Sequence, residues 1–183
     1  VNTFGRHLPE RFVTLAEVLA ERGYATAAVT ANYAWLGPRF QLNRGFQYHD
    51  ARRRVTFLHH PDQAFYLRHF LVRVLRGRVP REAFEPRYRR AEAINRDVYS
   101  LLNRLSRLEA PFFLFVNYLD PHAPYLPPSP FDQSFEGKDT EIGPEQFGPI
   151  QRAVMLEERP ISARERSHFV SQYDGEIAYL DAQ

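Results

Sequence analysis

The chain has 183 residues, of which 44% are hydrophobic and 25% charged, which is typical of a globular domain with its own core. It contains no cysteine, and this excludes disulfides, thiolate metal sites and a cysteine nucleophile from the chain. The net charge is only +2 and the longest apolar run has the length of a strand, so we expect neither a nucleic-acid partner nor a transmembrane segment. Arginines cluster at 52–54 and 87–90; they could contact phosphates, but we interpret them as solvated surface.

The first segment with a clear pattern predicts a helix followed by a strand. Residues 14–23, "TLAEVLAERG", start with Thr14 and Glu17 at capping-box spacing and end at Gly23, a residue suited to the left-handed position after a helix. The apolar face of this helix is predicted to contain Leu15, Val18 and Leu19. Residues 24–31, "YATAAVTA", are small or β-branched and predict a strand. Helix, short turn and strand are typical of half a β-α-β unit.

The middle of the chain repeats this order. Residues 32–61 predict a loop with turns at "LGPRF" and "NRGF", and residues 62–76 predict a helix. Residues 88–108 predict a second long helix, whose apolar face would contain Ala91, Ile94, Val98, Leu101, Leu105 and Leu108. The strand that follows is apolar on consecutive residues, which favours burial on both faces, as in a parallel sheet.

The last third predicts a long loop and a final helix. Residues 126–160 are rich in proline and weak in periodicity, which favours a loop. Ser162 and Glu165 form another capping box. The helix after it would present its apolar face through Phe169, Tyr173, Ile177 and Leu180.

The stretch "FFLFVNYLDPHAPYLPP", residues 112–128, contains the strongest candidate for chemistry. Ligands bind beyond the carboxyl ends of strands in open parallel sheets, and His122 follows such an end. Pro121 and Pro124 restrict the backbone on both sides of it. An imidazole titrates near neutral pH and suits general acid or anion-contact work. We expect Asp120 to cap the turn.

Other polar residues have weaker claims. His59, His60 and Asp62 could ligate a metal ion, but adjacent histidine side chains diverge and Asp62 suits a helix N-cap. We expect Asp174 to be a buried hydrogen-bonding residue and Glu176 to be solvated.

Packing or surface positions are the simpler interpretation of the remaining candidates. We expect this for His69 and His168, which fall on predicted helices. Trp35 and Phe40 could equally line a substrate pocket or fix a loop to the core.

Three segments together resemble the sulfatases of the alkaline phosphatase superfamily. They are "LPERFVTLAEVLAERGYATAAV", "PFFLFVNYLDPHAPYLPP" and "YDGEIAYLDAQ", in the family's order and spacing. The resemblance implies an α/β fold: a fragment of a three-layer α/β/α domain with a mostly parallel sheet. It further implies hydrolysis of a small-molecule or glycan sulfate ester.

The resemblance also implies how the reaction proceeds. Sulfatases use a formylglycine, made from Cys or Ser in a C/S-x-P-x-R motif, and a divalent cation, usually calcium. Of the family's functional residues only His122, in the P-H-x-P turn, maps onto this chain. We therefore expect residues 1–183 to be a single partial domain, the central fragment of the catalytic domain. The nucleophile segment would lie upstream and the late metal-site segment downstream, so the fragment alone would be inactive and without a metal site.

One segment departs from the family pattern. Many sulfatases have G-K-W-H-x-G where this chain has "TANYAWLG", residues 30–37, so the lysine and histidine that contact sulfate are absent and Asn32 lies near their place. An asparagine cannot supply the point charge of a lysine. This leaves open a phosphodiesterase or phosphoethanolamine-type transferase acting on a phosphate ester, or a degenerate, non-catalytic relative.

Overall fold

The computed structural model describes residues 7–52 and 88–183. The chain divides into two compact units, each described by itself below. The first comprises the described residues up to Arg89 together with Arg96–Tyr118, and the second comprises Arg90–Asn95 together with Leu119–Gln183. The predicted helix at 62–76 and the candidates His59, His60, Asp62 and His69 lie outside the described residues.

The first predicted helix and strand are confirmed as α1 (Leu15–Glu21) and β1 (Ala25–Thr30). Both hydrogen bonds of the capping box form: Thr14 Oγ1 accepts from the Glu17 N–H at 3.1 Å, and a Glu17 carboxylate oxygen accepts from the Thr14 N–H at 2.7 Å. Gly23 has a φ of +83°, as its position required.

The predicted apolar face of α1 is wrong at its first residue. Leu15 is 62% exposed, and its neighbour Ala16 is buried instead. Gly45, with a φ of +81°, is the cause: a β-carbon there would lie 2.4 Å from the Ala16 carbonyl carbon. The loop backbone therefore packs directly on the Ala16 side of the helix.

The first unit contains a parallel three-stranded sheet in the order β2-β1-β3. The central strand β1 is buried along its whole length. It pairs with β3 (Phe112–Asn117) from Ala25↔Phe112 to Thr30↔Asn117, so the parallel sheet is confirmed. On its other side it pairs with β2 (Tyr48–Asp50), which falls in the segment predicted as loop. That segment also contains a short helix α2 (Tyr33–Leu36) and a 3₁₀ turn at Pro38–Phe40.

Strand β3 is not buried on both faces. Phe112 and Phe115 are 41% and 40% exposed, although the Phe113 ring stacks on Phe46 at 5.8 Å. Among the described residues β3 is an edge strand with β1 as its neighbour. The prediction was wrong there because an apolar residue type does not specify what covers it.

The helix predicted at 88–108 is α3 (Ala91–Leu105), whose first turn belongs to the second unit and whose remainder belongs to the first. Its predicted apolar positions from Ala91 to Leu105 are buried. Leu108 is half exposed because the helix has already ended.

The second unit contains a 3₁₀ turn at Phe131–Gln133, then α4 (Pro144–Met155) and α5 (Ala163–Asp181). Helix α4 corrects the loop predicted at 126–160. It has Pro144 in its first turn, where no N–H is needed, but also Pro149 in its interior, which made the sequence unlike a helix.

Helix α5 starts with the predicted capping box, in which the Glu165 N–H donates to Ser162 Oγ at 3.2 Å. Its predicted apolar face is wrong, since Tyr173 and Ile177 are 41% and 43% exposed. The buried residues are mostly polar or small: His168, Ser171, Gln172, Gly175, Glu176 and Tyr179. Two of them donate to backbone carbonyls of the loop: Ser171 Oγ donates to Phe135 O at 3.0 Å, and Gln172 Nε2 donates to Asp132 O at 3.1 Å.

Candidate active site

His122 lies on an exposed turn, five residues after the end of β3. Its N–H donates to the Leu119 carbonyl at 3.1 Å, which closes the turn around Asp120 and Pro121. Its Nδ1 is 2.8 Å from the Ala123 carbonyl oxygen. Because a carbonyl can only accept, Nδ1 carries the proton in this hydrogen bond. Nε2 is therefore the ring nitrogen left to meet a substrate.

Asp120 is fully buried and caps α3, whereas the sequence predicted that it would cap its own turn. Its Oδ1 accepts from the Ala91 N–H, the first amide of α3, at 3.1 Å. Burial raises the pKa of Asp120, and the Ala91 hydrogen bond and the Arg90 charge offset part of that increase. This carboxylate joins the His122 turn to the start of α3.

Glu176 contacts the same segment from α5. It is 1% exposed, so the prediction that it would be solvated is wrong. Its Oε1 accepts from the Leu126 N–H at 2.9 Å, and the Leu126 carbonyl accepts from Arg90 Nη2 at 2.8 Å. Asp174, expected to be buried, is only partly so, because it points to a different side of α5.

Asn117 is the last residue of β3, and Asn32 lies two residues after the end of the neighbouring strand β1. Asn117 Oδ1 accepts from the Asn32 N–H at 3.2 Å, and Asn32 Oδ1 accepts from the Trp35 N–H at 3.1 Å. Asn32 thus caps α2 in the segment that departs from the pattern of the resembled family. The Trp35 ring stacks on Phe40 at 5.5 Å but remains half exposed, which is compatible with both roles considered for this pair.

A buried ion-pair network lies at the carboxyl ends of β1 and β2. The Arg89 guanidinium, whose side chain is 7% exposed, contacts Asp50 Oδ2 at 3.1 Å and Asp97 Oδ2 at 2.6 Å. It also donates to the Thr30 carbonyl at 2.9 Å. Arg52 holds both carboxylate oxygens of Asp50 from the solvent side, at 2.9 and 2.7 Å. The interpretation of these arginines as solvated surface is therefore wrong for Arg89.

His168 is a packing residue, as expected. It is buried, and its Nδ1 accepts from the Asp139 N–H at 2.9 Å, so the ring is neutral at that nitrogen. Burial lowers the pKa of His168, as does the Lys138 charge, against an opposing effect of Asp139. Its hydrogen bond fixes the segment before α4, and we assign it no chemistry.

The sulfatase family model matches residues 2–183 of the chain. The chain belongs to the sulfatase family. No curated protein and no solved structure matches it at a significant level. The chain has the α/β fold expected of the alkaline phosphatase superfamily, with β1 to β3 in a parallel sheet. It belongs to a family of hydrolases that act on sulfate esters.

Members of the sulfatase family generally use a divalent metal ion, and the described part of this chain does not fit one. Nowhere in residues 7–52 and 88–183 do three or more His, Asp or Glu side chains come together to ligate an ion. Asp50 and Asp97, the acidic pair of the first unit, are ion-paired to Arg89. In the same ranges, no helix is long and apolar enough to cross a membrane.

Sequence reasoning missed two polar side chains that hydrogen-bond to Leu126, those of Arg90 and Glu176. A signal was present for Glu176: it follows Gly175 and shares a helix face with Gln172 and Tyr179, at spacings of four and three. A glycine beside that face is typical of a close approach by another segment. For Arg90 the sequence offers only its place in an arginine cluster.

Proposed function

We propose that this protein hydrolyses a sulfate ester and that His122 is its catalytic acid. The observation that carries the proposal is the family match over residues 2–183, which includes an exposed histidine on a hydrogen-bonded turn. The substrate class is a small-molecule or glycan sulfate ester.

The chemistry we assign to His122 is proton transfer at Nε2. When the sulfur–oxygen bond of the ester breaks, the leaving oxygen develops negative charge and needs a proton. An imidazolium at position 122 donates that proton from Nε2 and becomes neutral, while Nδ1 keeps its proton against the Ala123 carbonyl. The positively charged ring also attracts the sulfate group before the bond breaks.

We place the nucleophile and the metal ligands in other parts of the complete protein. The chain has no cysteine and no S-x-P-x-R sequence from which a formylglycine could form. We therefore propose that residues 1–183 are a single partial domain and are inactive alone. Calcium is the ion we expect in the complete enzyme. The flanking gene sequence tests the proposed nucleophile directly, by the presence or absence of a C/S-x-P-x-R motif.

The reaction class is tested on the full-length protein with matched esters. We expect turnover of 4-nitrophenyl sulfate well above that of 4-nitrophenyl phosphate and bis(4-nitrophenyl) phosphate. Turnover of the phosphate diester alone would replace this proposal by a phosphodiesterase.

The role of His122 is tested with a series of leaving groups. We expect His122→Ala to lower kcat by about 10²- to 10⁴-fold, because a positioned acid contributes about that much. The loss should increase from 4-nitrophenyl sulfate to phenyl and alkyl sulfates, whose oxygens need the proton more. His7→Ala, which removes another exposed histidine, is the matched control. An equal loss across the series, or no loss, would exclude general acid catalysis by His122.

Asn32 favours a second candidate function. Its side-chain oxygen caps α2, and no lysine or histidine is present in residues 30–37 to contact sulfate. A phosphodiesterase or phosphoethanolamine-type transferase that holds its anion differently fits this segment. A degenerate relative that binds the ester without turnover would give no product with any of the three substrates.

A further inference from the structure

The backbone of Leu126, four residues after His122, is held through both of its polar groups. Its N–H donates to Glu176 Oε1 at 2.9 Å, and its carbonyl accepts from Arg90 Nη2 at 2.8 Å. The segment has few other donors of its own, because Pro121, Pro124 and Pro127 lack an N–H. Leu126 is therefore a point at which side chains from elsewhere in the second unit can fix this segment.

His122 lies between two such anchor points. Two residues before it, Asp120 accepts from the Ala91 N–H at 3.1 Å, and four residues after it, Leu126 binds Arg90. Arg90 and Ala91 are consecutive in the chain. One site at the start of α3 thus holds the turn on both sides of the imidazole.

The anchoring residues are themselves immobilised. Glu176 is 1% exposed in α5, and the Arg90 guanidinium lies 5.5 Å from the centre of the Tyr179 ring, three residues further along α5. The helix also approaches the segment closely, since a β-carbon on Gly175 would lie 2.9 Å from Pro127 Cγ. A shift of the turn along α5 would break these contacts together.

We propose that Glu176 and Arg90 are positioning residues for the reaction: by fixing Leu126 they hold the His122 turn in one conformation. This inference rests on the proposed role of His122. The carboxylate of Glu176 makes a charge-assisted hydrogen bond to the Leu126 N–H, which is stronger than a neutral one. The arrangement assigns no chemistry to Glu176 itself.

The kinetic test uses the full-length protein and aryl sulfates. We expect Glu176→Ala to lower kcat by about 10- to 100-fold with little change in KM, because misplacing a catalytic group by about 1 Å costs that much. Glu176→Gln keeps a carbonyl acceptor and should recover most of the loss. Asp174→Ala, in the same helix but partly exposed, is the matched control. If Glu176→Ala does not fold, Arg90→Met makes the same test, with the exposed Arg96→Met as its control.

A double variant separates positioning from general stability. If Glu176 acts through His122, then Glu176→Ala should cost almost nothing in kcat once His122 is alanine. The loss in Glu176→Ala should also increase across the leaving-group series, as it does for His122→Ala. The proposal would be overturned if the two losses in kcat multiplied in the double variant, or if Glu176→Ala kept full activity.

Hydrogen exchange tests the same inference without turnover. In Glu176→Ala the peptide that spans residues 119–127 should exchange faster, and in Asp174→Ala it should not. If wild-type protein shows no turnover but this difference is observed, the proposed function fails while the anchoring of the turn stands. If wild-type protein turns over sulfate esters but exchange and kcat are both unchanged in Glu176→Ala, the positioning role fails alone.

Discussion

Replacing Arg89 by methionine removes the cation that joins β1, β2 and α3 in the first unit. The Arg89 side chain, 7% exposed, donates to the carboxylates of Asp50 and Asp97 and to the backbone carbonyls of Thr30 and Asp50. Methionine has a similar length but cannot donate a hydrogen bond. The substitution therefore leaves the Asp50 carboxylate, 3% exposed, with Arg52 as its remaining charged partner in the described network.

The expected loss follows from burial. Removing one partner of a buried ion pair costs about 3–5 kcal/mol, and leaving a buried carbonyl unpaired costs about 1–3 kcal/mol more. Two features reduce the sum: Arg52 still holds Asp50 by both oxygens, and Asp97 is partly exposed and can be hydrated. We expect the free energy of unfolding to decrease by about 3 kcal/mol.

Arg52→Met is a matched control, because it removes an arginine from the same carboxylate. The Arg52 side chain is 65% exposed, so we expect a loss of no more than about 1 kcal/mol. Urea unfolding of the full-length protein, with midpoint and m value compared between variants, measures both changes. Equal losses in the two variants would refute the argument that burial decides the magnitude.

The pH dependence gives an independent check. Burial alone would raise the pKa of Asp50, but the hydrogen bonds from Arg52 and the Arg89 charge outweigh it and lower that pKa below 3.8. A lowered carboxyl pKa stabilises the folded state above the unfolded value, and the stabilisation is lost as the pH falls through the folded pKa. The difference in unfolding free energy between wild type and Arg89→Met should therefore be largest at neutral pH and decrease below pH 3.8. A difference that grows in acid would contradict this.

Substitutions at three further positions test the second unit. Gly175→Ala should lower the free energy of unfolding by about 1–3 kcal/mol, because its β-carbon would lie 2.6 Å from the Phe131 carbonyl oxygen; an increase in Tm would contradict the close packing. Asp120→Asn should match or exceed wild-type stability at neutral pH, because burial raises the pKa of Asp120 and penalises its charged form. Asp120→Ala cannot accept from the Ala91 N–H and should lose about 1 kcal/mol of unfolding free energy, measured by denaturant unfolding. Burial lowers the pKa of His168 below 6.5, so as the pH falls the unfolded state binds the proton first and stability should decrease below pH 6.5. His168→Asn should reduce this dependence of the unfolding free energy on pH. An unchanged dependence would exclude His168 as its source.

Structural elements that depend on residues close together in the chain could be predicted from the sequence. The capping boxes at Thr14 and Ser162 each use a glutamate three positions later, so the residues that form them stand close together in the sequence. Strands β1 and β3 were predicted in type and in parallel direction. Strand β2 was missed because three residues carry no periodicity, and α4 was missed because Pro149 interrupts its pattern.

Predictions about what surrounds a residue were less successful. The sequence suggested that Phe112 and Phe115 would be covered and that Tyr173 and Ile177 would form the inner face of α5, yet all four are about 40% exposed. The inner face of α5 instead contains Gln172 and other side chains that donate to loop carbonyls. Residue type indicates hydrophobicity. Whether the buried face of a helix needs apolar or hydrogen-bonding side chains depends on the segment that packs against it.

By itself, the sequence determined the starts of α1 and α5, the two longer strands and the proline-bounded turn that presents His122, because each depends on residues a few positions apart. The tertiary structure decided that Arg89 is buried and that Glu176 binds Leu126, a residue 50 positions away. The sequence around a charged residue looks the same whether its side chain hydrogen-bonds to water or to a distant backbone group. Only folding brings the partner within hydrogen-bond distance, and it is folding that makes Glu176 part of the structure holding His122.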